Sequence, residues 1–223
     1  MKTGYSYKRL LWGIIILYKD KNQLVETSRQ VYRKGMTPGK SGNISMKVSN
    51  IPSSSNNVGL TYEYDYDEQI ILITPSGVSL RDITLDNVVV TNLNGEKLDG
   101  EGRPSSELRM HLEIYRKRGD IGAIVHTHPP YVTGFSFTDK KIPRFEGLGE
   151  IKSPYIAEVE YAVPGSGELV ESASNGLIDD DVLLLRNHGM VTVGEDIDSA
   201  VLLAEFTESS AKTGFIIQQL AGE

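Results

Sequence analysis

Apolar and polar positions along this chain repeat with two periods, near 3.6 and near 2, and the switches between them mark out the elements. Residues 22–34 carry Leu24, Val25, Val31 and Tyr32 among polar neighbours and stop at Gly35, which predicts a helix closed by glycine. A glycine-rich turn, Gly39-Lys40-Ser41-Gly42-Asn43, follows. Residues 44–48 and 69–74 read as strands, the second broken at Pro75-Ser76-Gly77, and residues 88–93 as a third that turns at Asn94-Gly95. Ser53-Ser54-Ser55-Asn56-Asn57 is loop chemistry joining two strands. Pro104-Ser105-Ser106-Glu107 predicts the start of the clearest helix, with a serine cap, acid in the first turn, Leu108, Leu112 and Tyr115 on one face and Gly119 as stop. Residues 121–128 form a strand ending at Pro129-Pro130, residues 182–185 and 190–193 flank the turn Arg186-Asn187-His188-Gly189, and a last helix runs from Asp196 to about Leu220. Several strands are joined by turns too short for parallel crossovers, so the sheet is expected to be largely antiparallel.

The length of 223 residues suits one domain spanning 1–223, with residues 1–21 as an N-terminal extension. Lys8 and Arg9 precede an apolar run, residues 10–17, that is too short to span a bilayer and runs straight into Tyr18-Lys19-Asp20-Lys21 with no small-residue cleavage site. An extra strand or helix in a cytoplasmic protein is the expectation, with no membrane partner. A hydrophobic fraction of 39% supplies a core, and a net charge of −7 argues against nucleic acid, whose backbone calls for a basic face. The chain has no cysteine, which removes disulfides, thiol catalysis and zinc ribbons, so any metal must be held by His, Asp or Glu.

The four histidines are therefore informative. His126 and His128 lie two apart on a predicted strand, so their rings leave the same face about 6–7 Å apart along the backbone and can converge on one cation. His188 lies in a turn that Gly189 lets bend tightly, and Glu107 adds a carboxylate just before the HxH strand. Three imidazoles and a carboxylate suit zinc, and a carboxylate able to leave the ion would supply both an open position and a base. Glu107 and His111, four apart on the helix, are open to other readings: a simple surface pair, a packing histidine, or a further ligand. Ser41-Gly42-Asn43, Ser76-Gly77 and Ser105-Ser106 each offer backbone N–H and hydroxyl donors, the last at a helix start, which fits an anion such as a substrate phosphate beside the metal.

Five segments in order, Gly39-Lys40-Ser41-Gly42-Asn43-Ile44-Ser45, Ile73-Thr74-Pro75-Ser76-Gly77, Pro104-Ser105-Ser106-Glu107, Val125-His126-Thr127-His128 and Arg186-Asn187-His188-Gly189, resemble the class II (zinc-dependent) aldolase and adducin family from about Leu24 to Leu220. The resemblance implies an α/β fold of three layers, α/β/α, with a central and mainly antiparallel sheet. It implies that His126, His128 and His188 bind one Zn2+ per subunit, a role Mn2+ or Co2+ can also fill, and that Glu107 is both a ligand and the acid/base group. It implies that Gly42, Asn43, Ser76, Gly77, Ser105 and Ser106 hold the substrate phosphate. The reaction implied is reversible cleavage of a ketose 1-phosphate, of the L-fuculose 1-phosphate kind, into dihydroxyacetone phosphate and an aldehyde through a zinc-stabilised enediolate. The same resemblance admits a 4-epimerase, whose branch typically has aspartate in place of Glu107, or a ketose-phosphate dehydratase. An adducin-like scaffold lacking the metal site fits poorly, since all four ligand positions are filled. A homotetramer with active sites at subunit interfaces is further implied. Members of the family commonly protonate the leaving aldehyde with tyrosines that this chain lacks in residues 143–150 and after Tyr161, which leaves Glu146 or Tyr131 for that role.

Overall fold

The computed structural model describes residues 3–48, 69–145 and 153–222, with side chains from Leu17 onward. Five α-helices and eight strands follow one another as α1 (Thr3–Arg33), β1 (Asn43–Lys47), β2 (Ile70–Ile73), β3 (Val89–Asn92), β4 (Lys97–Asp99), α2 (Leu108–Lys117), β5 (Ala123–Thr127), α3 (Pro130–Ser136), β6 (Ala157–Val159), α4 (Gly167–Gly176), β7 (Val182–Leu185), β8 (Gly189–Gly194) and α5 (Ile197–Ala221), with a 3-10 turn at Leu80–Asp82. The strands form one sheet in the order β4-β3-β2-β1-β5-β8-β7-β6. Every neighbouring pair is antiparallel except β6 with β7, and those two are joined through α4, the helical crossover that a parallel pair requires.

Period-two alternation divides the strand residues between two cores. Ile44, Met46, Leu72, Val90, Val125, Leu184 and Met190 face one way, packed with Leu24 and Val31 of α1, Val132 and Phe135 of α3, and Ile197, Ala204 and Ala211 of α5. Ile71, Ile73, Val89, Ile124, Leu183, Leu185, Val191 and Val193 face the other, against Met110, Ile114 and Tyr115 of α2 and Leu169 and Ala173 of α4. This is the expected three-layer α/β/α arrangement. Coverage of both faces explains why β2 and β7 read as unbroken apolar runs, each such side chain contributing about 1.5–3 kcal/mol on burial.

The helix expected over 22–34 continues backward to Thr3, so the N-terminal apolar run is helical and α1 ends at the positive-φ Gly35. Asp196 closes a reciprocal capping box with Ser199 at the start of α5. The start of α2 differs from expectation. Glu107 is its cap position, with no side-chain cap, while the Ser105 hydroxyl accepts the Glu107 N–H within the preceding turn. The two extra residues of turn detach Glu107 from the regular helix and aim its carboxylate at the end of the sheet. Two strands at the sheet edges, β4 and β6, and two helices, α3 and α4, were not foreseen. The strands are three residues each, and α3 opens at a Pro-Pro pair that reads more readily as a break. Ser53–Asn57 and Glu146 lie outside the described residues. Among the described residues no helix is long and apolar enough to cross a membrane.

Candidate metal centre

Antiparallel pairing gathers the chemistry at one end of the sheet. The start of β1 lies beside the end of β5, with Asn43 opposite His126, and the end of β5 lies beside the start of β8, with Thr127 opposite Met190. His126, on the face of the sheet that α2 covers, is fully buried. Its Nδ1 lies 2.8 Å from the Met190 carbonyl oxygen, which can only accept, so Nδ1 carries a proton and Nε2 is the ring atom turned toward the other histidines. The His128 Nε2 is 2.9 Å from that atom. His188 completes the group, and the three rings form a near-equilateral triangle with centroids 4.7, 4.8 and 4.9 Å apart.

The turn that brings His188 in is built from backbone constraints. Asn187 adopts φ 54°, a left-handed conformation that asparagine tolerates better than most residues, and its N–H donates to the Ser136 carbonyl at 2.9 Å. Gly189 comes next because nothing larger fits: a Cβ there would lie 2.5 Å from the Thr127 carbonyl oxygen and 2.7 Å from Cδ2 of His128.

Glu107 reaches the triangle from the α2 side. Its Oε2 is 3.3 Å from the His126 Nε2 and its Oε1 is 3.6 Å from the His188 Nε2. Oε2 accepts a hydrogen bond from the Asn43 Nδ2 at 2.7 Å, whereas Oε1 is buried with no hydrogen-bond partner. Burial pushes the Glu107 carboxyl up, but the facing His126, the Asn43 amide, His188 and His111 outweigh it and hold it at about 2. Burial, then the neighbouring imidazoles, lowers His128 to about 3 and His188 to about 4, so both rings are neutral at pH 7.

These features suit a divalent cation. The three candidate nitrogens lie within 4.8 Å of one another, and nitrogens at about 2.1 Å from a common tetrahedral centre would be roughly 3.4 Å apart. The His128 and His188 rings are neutral donors, the His126 Nδ1 is engaged by a carbonyl, and the orphaned carboxylate oxygen is the kind of buried atom a cation would satisfy.

His111 is not part of this cluster and does not form a surface pair with Glu107. It is fully buried, with Nδ1 2.7 Å from the Ser45 Oγ, which is itself 2.9 Å from the Tyr115 hydroxyl. Glu107, His111 and Tyr115 thus form one stripe of α2 and its approach, docked on Asn43 and Ser45 of β1. The period-two placement of Asn43 and Ser45 opposite the apolar Ile44 and Met46 was the sequence signal for this buried polar seam.

The three donor segments adjoin one another. Residues 42–44 meet residue 74 through the bonds Thr74 N–H to Ile44 O and Ile44 N–H to Thr74 Oγ1, and Ser76 N–H donates to Arg103 O beside the Pro75–Pro104 bridge. Ser105 is buried and Ser106 exposed, and Gly42 and Gly77 both have positive φ. The Asn43 amide donates one of its hydrogens to Glu107. Tyr131 turns its ring toward Phe215 of α5, at 5.7 Å between centroids, and under Lys212.

Residues 22–214 match the family model for the class II aldolase and adducin N-terminal domain. The chain belongs to that family. An L-fuculose phosphate aldolase of Methanococcus maripaludis is 34% identical over 201 residues, covering 90% of this chain and 99% of the relative. A 5-deoxy-D-ribulose 1-phosphate aldolase of Bacillus thuringiensis is 32% identical, covering 89% and 85%. A 3-oxo-tetronate 4-phosphate decarboxylase of Haemophilus influenzae is 31% identical, covering 89% and 88%. A solved structure named L-fuculose 1-phosphate aldolase matches with a TM-score of 0.75 and 28% identity, covering 91% of this chain and 87% of that one. This class II aldolase is an aldehyde-lyase of a metal-dependent family that acts on sugar phosphates.

Proposed function

We propose that this class II aldolase cleaves a ketose 1-phosphate, of the L-fuculose 1-phosphate kind, reversibly into dihydroxyacetone phosphate and an aldehyde. His126, His128 and His188 hold one Zn2+ per subunit, Glu107 is the fourth ligand, and the same donors accept Mn2+ or Co2+. The observation that carries the reading is the convergence of three imidazoles on a buried carboxylate with one oxygen unpartnered. The names of the aldolase relatives support the substrate class. A cation held there supplies Lewis acidity, polarising the substrate carbonyl and stabilising the negative charge left when the carbon–carbon bond breaks.

The chain's own residues supply the rest. Glu107 is ionised at neutral pH, and once the substrate displaces it from the cation, Oε1, the oxygen that Asn43 does not hold, takes the proton from carbon in the condensation direction and returns it in cleavage. The substrate phosphate lies among the N–H groups of Gly42, Gly77, Ser105 and Ser106 and the serine hydroxyls, Ser76 contributing its hydroxyl because its N–H is held by Arg103. Asn43 also fixes Glu107 through one N–H of its side-chain amide, which leaves the second N–H and its backbone for the phosphate. The protein acts in the cytoplasm as a homotetramer with interfacial sites. Support for assembly comes from α5, where Leu202, Phe206, Phe215, Ile216, Ile217 and Leu220 are exposed, an apolar surface that a second copy would cover.

The test is release of dihydroxyacetone phosphate from the 1-phosphates of fuculose, rhamnulose, ribulose and 5-deoxyribulose, with and without a chelator. Release that the chelator abolishes and zinc restores is expected. A zinc-containing protein that releases none from any of them would overturn the aldolase assignment in favour of epimerase, dehydratase or decarboxylase chemistry.

A further inference from the structure

We infer that Glu208, in the middle of α5 and outside the cluster at the end of the sheet, is a positioning residue for the metal centre, acting through α3. The inference rests on the reading of that centre as a cation site. Helix α3 begins two residues after His128, at the pair Pro129-Pro130. Neither proline has an N–H, so the first donors this helix start possesses are those of Tyr131 and Val132, and no local side chain caps them. The Glu208 carboxylate takes both, with Oε1 accepting from the Tyr131 N–H at 3.0 Å and Oε2 from the Val132 N–H at 2.9 Å. A single side chain from an element more than 70 residues away in sequence thus closes the start of α3 bidentately.

The other end of α3 meets the His188 turn. The carbonyl of its last residue, Ser136, accepts the N–H of Asn187, next to His188. Helix α3 is therefore a seven-residue strut between the backbone of one candidate ligand and that of another. His126 is held separately, by the sheet ladder and the Met190 carbonyl. His128 has its own N–H on the Met36 carbonyl and its ring against Gly189, so its remaining freedom lies where the chain leaves toward α3. A strut that slides on α5 moves His128 and His188 relative to His126, and Glu208 is what fixes the strut to α5.

The test uses Glu208→Gln, which keeps the size but turns an NH2 group toward one of the two N–H donors, with Glu205→Gln on the same helix as the control. Zn2+ and Co2+ affinities are measured by competition with a chromophoric chelator, together with the visible band of the Co2+ form and the melting temperature of the cation-free protein. The expected result is binding weakened about 10-fold or more and an altered Co2+ band for Glu208→Gln, with Glu205→Gln unchanged. Affinity and band within twofold of the unsubstituted protein, whatever the melting temperature, would reduce Glu208 to a structural cap. If Glu208→Gln does not fold, Glu208→Asp, which keeps the charge but withdraws it by one methylene, is read against the same two outcomes. Failure of the unsubstituted protein to bind either ion would instead overturn the cation site itself.

Discussion

Glu107 shows how one residue's position sets its chemistry. It stands at the cap position of α2 rather than within the helix, its Oε2 fixed by Asn43 and its Oε1 left buried without a partner. Replacing it with Gln keeps the shape and the Asn43 contact through the side-chain oxygen but removes the proton acceptor. Turnover of Glu107→Gln is expected to fall about 10²–10⁴-fold while much of the metal is retained. An unchanged rate under steady-state assay would remove Glu107 from the proton transfer. The imidazoles give a second expectation. His111, His128 and His188 are held down to about 3, 3 and 4, mainly by burial, against 6.5 in the unfolded chain, so the unfolded state binds more protons as pH falls from 6.5 toward 4. Glu107, depressed to about 2, adds the same sign below 4.5. The cation-free protein should therefore be most stable above pH 6.5 and melt at progressively lower temperature toward pH 4.5, and a flat or rising melting temperature over that range would contradict these environments. The four candidate metal-binding residues were legible because histidine is scarce and its spacing on a strand is geometric. The bond from the Asn43 amide to Glu107 was not legible, because sequence does not show that a carboxylate 64 residues away accepts from it.

At the scale of elements, the centre depends on how closely β5 and β8 approach. Gly189 permits that approach, and Gly189→Ala would drive a methyl group into the Thr127 carbonyl and the His128 ring. A cost of about 1–3 kcal/mol in stability, read by chemical denaturation, and a clear loss of zinc affinity are expected together. Wild-type affinity in that variant would mean that the His128 ring is not seated as described. Elements with an apolar run or a periodic face, β1, β2, β3, β5, β7, β8, α2 and α5, could be read from the chain because both faces of the sheet are buried and each strand announces itself. Helix α3 could not, because its stability comes from outside, from a carboxylate of α5 on its first two donors. The short edge strand β6 was hidden for a similar reason, having no periodicity of its own and taking its place from β7.

The whole molecule is a sheet with helices on both faces whose central antiparallel strands, β2, β1, β5 and β8, bring a strand end or start to the same rim. That topology makes a constellation spread from Gly42 to His188 compact without any long excursion of the chain. The layer order and antiparallel character follow from patterning and short turns, while the apolar face of α5 stays exposed on the single chain and is the surface the proposed assembly would cover. The claim on which the account rests is that the rim holds one divalent cation through His126, His128, His188 and Glu107. Elemental analysis of the purified protein and of His126→Ala, both first shown to be folded by circular dichroism, tests it most directly. One zinc per chain is expected in the former and little or none in the latter, whereas full zinc occupancy in His126→Ala would contradict the assignment of these ligands.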